Sequence, residues 1–142
     1  MLEWLKDLVR PIRLEDPGFG PVRHFRDAKF WEGKTPFPPL GREVEVLIHG
    51  PEAGPSDAQR VFYKEVQDRY AALWPELERM LKAEAMEIEE SHRARFCLLS
   101  VNVPAAPGQA VEWELSYETE PPSWHYTVTL QGWKPRAVLA EC

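Results

Sequence analysis

A chain of 142 residues suits one domain, 1–142, and is long enough to bury about two thirds of its unfolded surface without disulfide or metal staples. Its net charge of −6 and sequence pI of ≈ 5.3 argue against an electrostatic hold on nucleic acid or on an anionic membrane, either of which needs a cationic face. Only two cysteines occur, Cys97 in an apolar run and Cys142 at the end, neither with a metal-type or redox-type neighbour, which fits a reducing compartment.

In chain order, Leu2, Leu5, Leu8 and Val9 sit at helical spacing and predict a short amphipathic helix before Pro11. Charges at Glu3, Lys6 and Asp7 interrupt what a signal peptide would keep apolar, and nowhere do about 18 apolar residues run together, so the expectation is a cytoplasmic protein off the membrane. Arg10, Arg13, Arg23, Arg26, Lys29 and Lys34 make the first quarter locally basic. Asp7, Glu15, Asp16, Asp27 and Glu32 are interleaved with them, as on a mixed solvated face.

Glycine and proline punctuate residues 16 to 40. Phe30-Trp31 and Thr35-Pro36-Phe37 read as short strands around a Glu32-Gly33-Lys34 turn, with the prolines confining the second to a sheet edge. Glu43 to His49 is a clearer strand, with Val44, Val46 and Ile48 on one face. Ser56, with Gln59 three residues later, is a capping-box signature, so a helix should start at Asp57. Pro75 suits a first turn and not a helix interior, which predicts two helices, 57–73 and 75–90. Their stripes, Ala58, Phe62, Val66, Tyr70 and Leu73, then Leu77, Met80, Leu81, Ala85 and Ile88, should cover something apolar.

Arg95 to Val103 reads as a central strand, with Cys97, Leu99, Val101 and Val103 on one side. Val111 to Glu118 and Trp124 to Gln131 alternate cleanly as a hairpin, predicted to pair Tyr117 with Trp124, Leu115 with Tyr126, Trp113 with Val128 and Val111 with Leu130. Gly132 should bend the chain before Trp133, and Ala137 to Ala140 adds a short last strand. The predicted class is α+β: a mainly antiparallel sheet with two consecutive helices packed on one face.

No motif fixes a chemistry. His24, His49, His92 and His125 have no short metal-ligand spacing, Gly18 and Gly20 lack a third glycine at dinucleotide spacing, and Ala28 stands where a P-loop before Gly33-Lys34-Thr35 needs its first glycine. Cys97 has the apolar neighbours of a packed thiol, and Ser91-His92 lacks the geometry of a nucleophile and its base. No cofactor, metal or catalytic residue is therefore assigned. Glu76, Glu78, Glu84, Glu87, Glu89 and Glu90 give the second predicted helix an acidic character that Arg79 and Lys82 balance only in part. Helical projection also sets Glu84 near its apolar stripe.

The run Asp16-Pro17-Gly18-Phe19-Gly20, the Trp31-Glu32-Gly33 turn, the strand 43–49, the Ser56-Asp57-Ala58-Gln59 helix start and the C-terminal hairpin together resemble an uncharacterised group of bacterial domains of unknown function. The resemblance spans roughly residues 16 to 135. It carries no catalytic residues, and it implies a binding role, because some of those domains sit among toxin-immunity loci. The expectation is a non-catalytic bacterial domain that binds a protein with a basic surface through its acidic helical face, with Glu84, Glu87 and Glu90, or through the tryptophans Trp31 and Trp133. The alternatives are a hydrolase or small-ligand enzyme whose site is assembled from distant strand ends, and a structural homodimer joined at a sheet edge.

Overall fold

The structure, a computed structural model, describes residues 11–25, 27–90, 93–120 and 124–141. The helix expected over Leu2 to Val9, the Ser91-His92 pair and Cys142 lie outside the described residues. The elements are β1 (Ile12–Asp16), β2 (Gly20–His24), β3 (Phe30–Phe37), a 3-10 turn (Pro38–Leu40), β4 (Arg42–His49), α1 (Asp57–Ile88), β5 (Arg95–Val103), β6 (Glu112–Glu120), β7 (His125–Gln131) and β8 (Lys134–Glu141). All eight strands form one sheet in chain order, with β1 and β8 at its edges. Neighbours are antiparallel except β4 and β5, which run parallel because α1 is the crossover between them. The sheet is thus mixed but, with one parallel pairing, still mainly antiparallel as expected.

The correction to the expected fold is the helix. One helix, Asp57–Ile88, replaces the predicted pair and carries Pro75 inside it. Its buried residues Phe62, Val66, Tyr70, Leu77, Leu81 and Ala85 stay in phase through the proline, since Tyr70 to Leu77 is two turns. Pro75 and Ala71, whose carbonyl loses its usual N–H partner, are both exposed, so water can serve that carbonyl. A mid-helix proline costs about 3 kcal/mol, and burying each large side chain of the stripe returns about 1.5–3 kcal/mol. Continuity wins.

Strand details differ from the periodic reading in three places. β3 is continuous where a turn at Glu32-Gly33-Lys34 was expected. Gly33 permits the approach of β2, because a Cβ there would lie 2.6 Å from the Pro21 carbonyl oxygen. Pro36 pairs with Glu43 of β4, and β2 reaches β3 only at Glu32 and Gly33, so Pro36 has an open flank as its missing N–H requires. In β5 a bulge between Leu98 and Ser100 changes which residues face α1: Leu98 before it, Val101 and Val103 after it. The β6–β7 hairpin pairs Trp113 with Leu130, Leu115 with Val128 and Tyr117 with Tyr126, two residues from the predicted register. A slip of two keeps the same face buried, so alternation alone does not distinguish the two registers. Gly132, at φ 57°, and Trp133 form the tight turn from β7 to β8.

The Asp-Pro-Gly-Phe-Gly run ties the β1–β2 hairpin to α1. Asp16 Oδ2 accepts the Gly18 and Phe19 N–H groups, both at 2.9 Å, and Arg60 Nη2 donates to Oδ1 at 2.7 Å. Gly18 is needed for this, because a Cβ there would lie 2.8 Å from Arg60 Cγ.

Replacing Pro75 restores a helix N–H: Pro75→Ala should raise the unfolding free energy by about 1–2 kcal/mol with an unchanged urea slope. A loss of stability would instead show that the ring shapes the helix to its sheet. For Asp16, burial by itself raises the carboxyl pKa, but Arg60 and the Phe19 and Gly18 N–H groups outweigh it and hold the group below the ordinary aspartate value. Its folded pKa lies below its unfolded one, so its stabilisation is present above about pH 4 and is lost as pH falls through the folded value. Asp16→Asn should therefore flatten the acid limb of a Tm-against-pH curve below about pH 4.

Candidate functional site

Along most of α1 the carboxylates are neutralised within the helix. Asp57 meets Arg60 at 2.6 Å, Asp68 meets Lys64 at 3.1 Å, Glu76 meets Arg79 at 2.6 Å and Glu78 meets Lys82 at 3.6 Å. The pattern stops there. Among the described residues no ion pair joins Glu84, half-buried, or Glu87 and Glu90, both exposed. The last turn has no basic residue, although the helix dipole is negative at that end. Glu89 is the C-cap and accepts the Tyr126 hydroxyl, whose pKa is raised by burial first and then by the Glu89 carboxylate. Glu90 follows at φ 52°, in the left-handed position that glycine usually fills.

The two tryptophans lie elsewhere. Trp31, expected in a partly exposed turn, is 1% exposed in β3 and donates its indole N–H to the Pro51 carbonyl at 2.9 Å. It belongs to the core because its strand position points toward α1, and it offers no surface to a partner. Trp133 is half-buried. It stacks on Phe62 with centroids 5.4 Å apart, meets Trp113 edge-on at 5.7 Å, and carries the Arg69 guanidinium 4.8 Å from its ring centroid. The five candidate partner-binding residues therefore lie in three places: three glutamates gather at the C-terminal end of α1, Trp133 packs near its N-terminal half, and Trp31 is interior.

A second polar locus had no signal in the sequence. At the carboxyl end of β4, His24, Lys29, His49, Pro51 and Glu52 line a pocket of ≈ 600 Å³. His24 is 2% exposed with its ring 5.0 Å from Trp31, and neither of its ring nitrogens, both closed off from solvent, has a hydrogen-bond partner among the described residues. An adjoining pocket shares His49 and Ala105 and includes Asn102, Glu112 and Glu114. Asn102 Nδ2 donates to Glu114 at 3.3 Å, while its Oδ1 has no partner. Among the described residues, no group of three or more histidine, cysteine, aspartate or glutamate side chains is placed to hold a metal ion.

Cys97, expected to pack inside, is half-buried instead, because it lies on the face away from α1 ahead of the β5 bulge. Arg42 Nη2 donates to its sulfur at 3.3 Å and to the Leu98 carbonyl at 2.7 Å. Among the described residues no helix is long and apolar enough to cross a membrane.

If Trp133 serves packing, its energy should appear within the isolated protein. A double-mutant cycle of Arg69→Ala and Trp133→Leu, read by urea unfolding, should give a coupling of about 0.5–1 kcal/mol. A coupling near zero would mark the ring as free for other contacts. No family model matches the chain, and no curated protein or solved structure matches it, so its own geometry carries the functional reading.

Proposed function

We propose that the chain is a non-catalytic protein-binding domain of immunity type that takes a basic partner on the acidic C-terminal end of α1. The observation that carries this reading is the group Glu84, Glu87 and Glu90, without ion pairs among the described residues, at the negative end of a helix whose other carboxylates have been supplied with bases. Each such carboxylate disfavours its own helix by about 0.3–1 kcal/mol. A cationic partner would relieve all three, and complementary charge would speed encounter and select against acidic competitors. The resemblance to domains among toxin-immunity loci points the same way, and a cytoplasmic setting accords with that role.

A second reading, small-ligand binding at a site built from distant strand ends, is favoured by the pocket that joins His24, His49 and Glu52.

The test compares wild type with the Glu84→Gln, Glu87→Gln, Glu90→Gln triple variant as bait in the native cell extract. The wild type should retain a basic protein that is released by raising ionic strength, because salt screens exposed charge pairs. The triple variant should bind that protein at least about tenfold more weakly while being as stable or more so in urea. Equal affinity of the two baits for the same protein would end this reading.

A further inference from the structure

We propose that the cleft between the first residues of β4 and β5, closed on one face by α1, binds a small apolar carboxylate whose charged group lies between the Arg42 guanidinium and the Tyr70 hydroxyl. The cleft exists because the parallel ladder starts late. It pairs Glu45 to Ile48 with Ser100 to Val103, so Arg42 to Val44 and Arg95 to Leu99, ahead of the β5 bulge, have no partners across it. Tyr70, Ala71 and Trp74 of α1 and the 3-10 turn at Pro39 and Leu40 complete a cavity of ≈ 540 Å³. Its size, and a lining that is mostly apolar and aromatic with a few polar groups, suit a small molecule.

The first observation is a spare proton. Tyr70 and Tyr117 share one hydroxyl contact of 2.7 Å, and neither hydroxyl has another hydrogen-bond partner among the described residues. Two hydroxyls carry two protons, and one contact uses one of them. Tyr117 is 0% exposed whereas Tyr70 lines the cavity, so the arrangement that strands no proton in the core has Tyr117 donating to Tyr70 and Tyr70 donating outward. Burial raises the pKa of both phenols, and the Tyr117 contact acts to lower that of Tyr70, as a donor to its oxygen does.

The second observation is a fixed cation without an acid. Arg42 Nη2 donates to the Leu98 carbonyl at 2.7 Å and to Cys97 Sγ at 3.3 Å, and Nη1 donates to the Glu43 carbonyl at 3.2 Å. None of these acceptors is a carboxylate, and Arg42 has no ion pair among the described residues. The guanidinium is thus held at the cavity with N–H groups to spare, and its charge acts on the Tyr70 phenol. The carboxylate of the wall, Glu120, faces Arg95 across the β5–β6 ladder, so those two offset each other. A ligand carboxylate can accept from Arg42 and Tyr70 together. Its apolar body then lies on Trp74, Phe96 and Leu40, the last of which is 40% exposed.

The site is independent of the acidic one, since along α1 Ala71 stands roughly 20 Å before Glu84. Either proposal can fail without the other.

The probes are phenylacetate and octanoate, with phenylacetamide as the uncharged control and acetate as the control without an apolar body. Each is titrated into the whole chain at constant ionic strength and followed by NMR at the Trp74 indole and the Arg42 side chain. At least one apolar carboxylate should shift both signals saturably and bind about tenfold or more tightly than either control; which one does so separates an aromatic from an aliphatic ligand. Arg42→Gln, an exposed change that keeps a donor for the Leu98 carbonyl, should weaken binding about tenfold. Tyr70→Phe should weaken it by a similar factor and Tyr117→Phe about twofold at most, although both remove the same contact from the core. The proposal is overturned if neither apolar carboxylate binds better than phenylacetamide, if Arg42→Gln binds like wild type, or if Tyr70→Phe and Tyr117→Phe bind equally.

Discussion

The fold depends on the side chain of Gln59. Its Nε2 donates to the carbonyls of His49, at the end of β4, and of Pro104, just past the end of β5; its Oε1 accepts the Ser56 N–H; and its backbone N–H bonds Ser56 Oγ at 3.2 Å. One buried amide thus closes the carboxyl ends of the two parallel strands and caps the helix that connects them. A parallel pair has no hairpin to fix its register, so something must hold the crossover to both strands. A glutamate in the same place would complete the capping box and then face two carbonyls with nothing to donate. That difference explains why the amide belongs here.

From this clamp the layers follow. Phe62, Val66, Tyr70, Leu77, Leu81 and Ala85 lie on the face made by Val44, Val46 and Ile48 of β4, Val101 and Val103 of β5, and Leu115 and Tyr117 of β6. Tyr70 and Tyr117 share a hydroxyl contact of 2.7 Å inside that core, where burial raises the Tyr70 pKa to about 12. On the other side of the clamp, Asp16 and Arg60 fix the first hairpin to the same helical turn. The start of α1 is therefore where the first four strands, the helix and the last four strands are joined.

Much of this was legible in residue order. The capping box named Ser56 and Gln59, and alternation located β4, β5 and the β6–β7 pair, because those signals are local. What failed was non-local or two-fold degenerate. Pro75 reads as a break until the stripe is followed through it in phase, and then Leu77 and Leu81 continue Tyr70. The β6–β7 register differs by two residues, a change that preserves every inward side chain and is decided by how far β6 runs toward Glu120. The β5 bulge turns Cys97 and Val101 to opposite faces, and no single residue announces it. Glu84, Glu87 and Glu90 were legible as an acidic group because they lie close in sequence, two near the end of α1 and one just past its C-cap. His24, Lys29, His49 and Glu52 come from three strands or their ends and share nothing in sequence.

Over most of the molecule the local rules agree with the whole: a complete cap at Ser56, bases set three or four residues from acids, apolar faces turned to one core. Apart from Pro75, they are broken at the two ends of α1. Near its start an interior imidazole has no partner among the described residues; near its end acids stand where a helix favours bases, and a glutamate takes a glycine conformation. Each departure has a simple local remedy, an apolar residue at 24 and glycine or lysine after Ile88, and neither is used. Departures of this kind are expected where function constrains a chain more tightly than stability does. Pro75, the departure in the central turns, is outweighed by the stripe it interrupts, so the same reasoning assigns that stretch to support: it holds the sheet together and carries the carboxylates at its end.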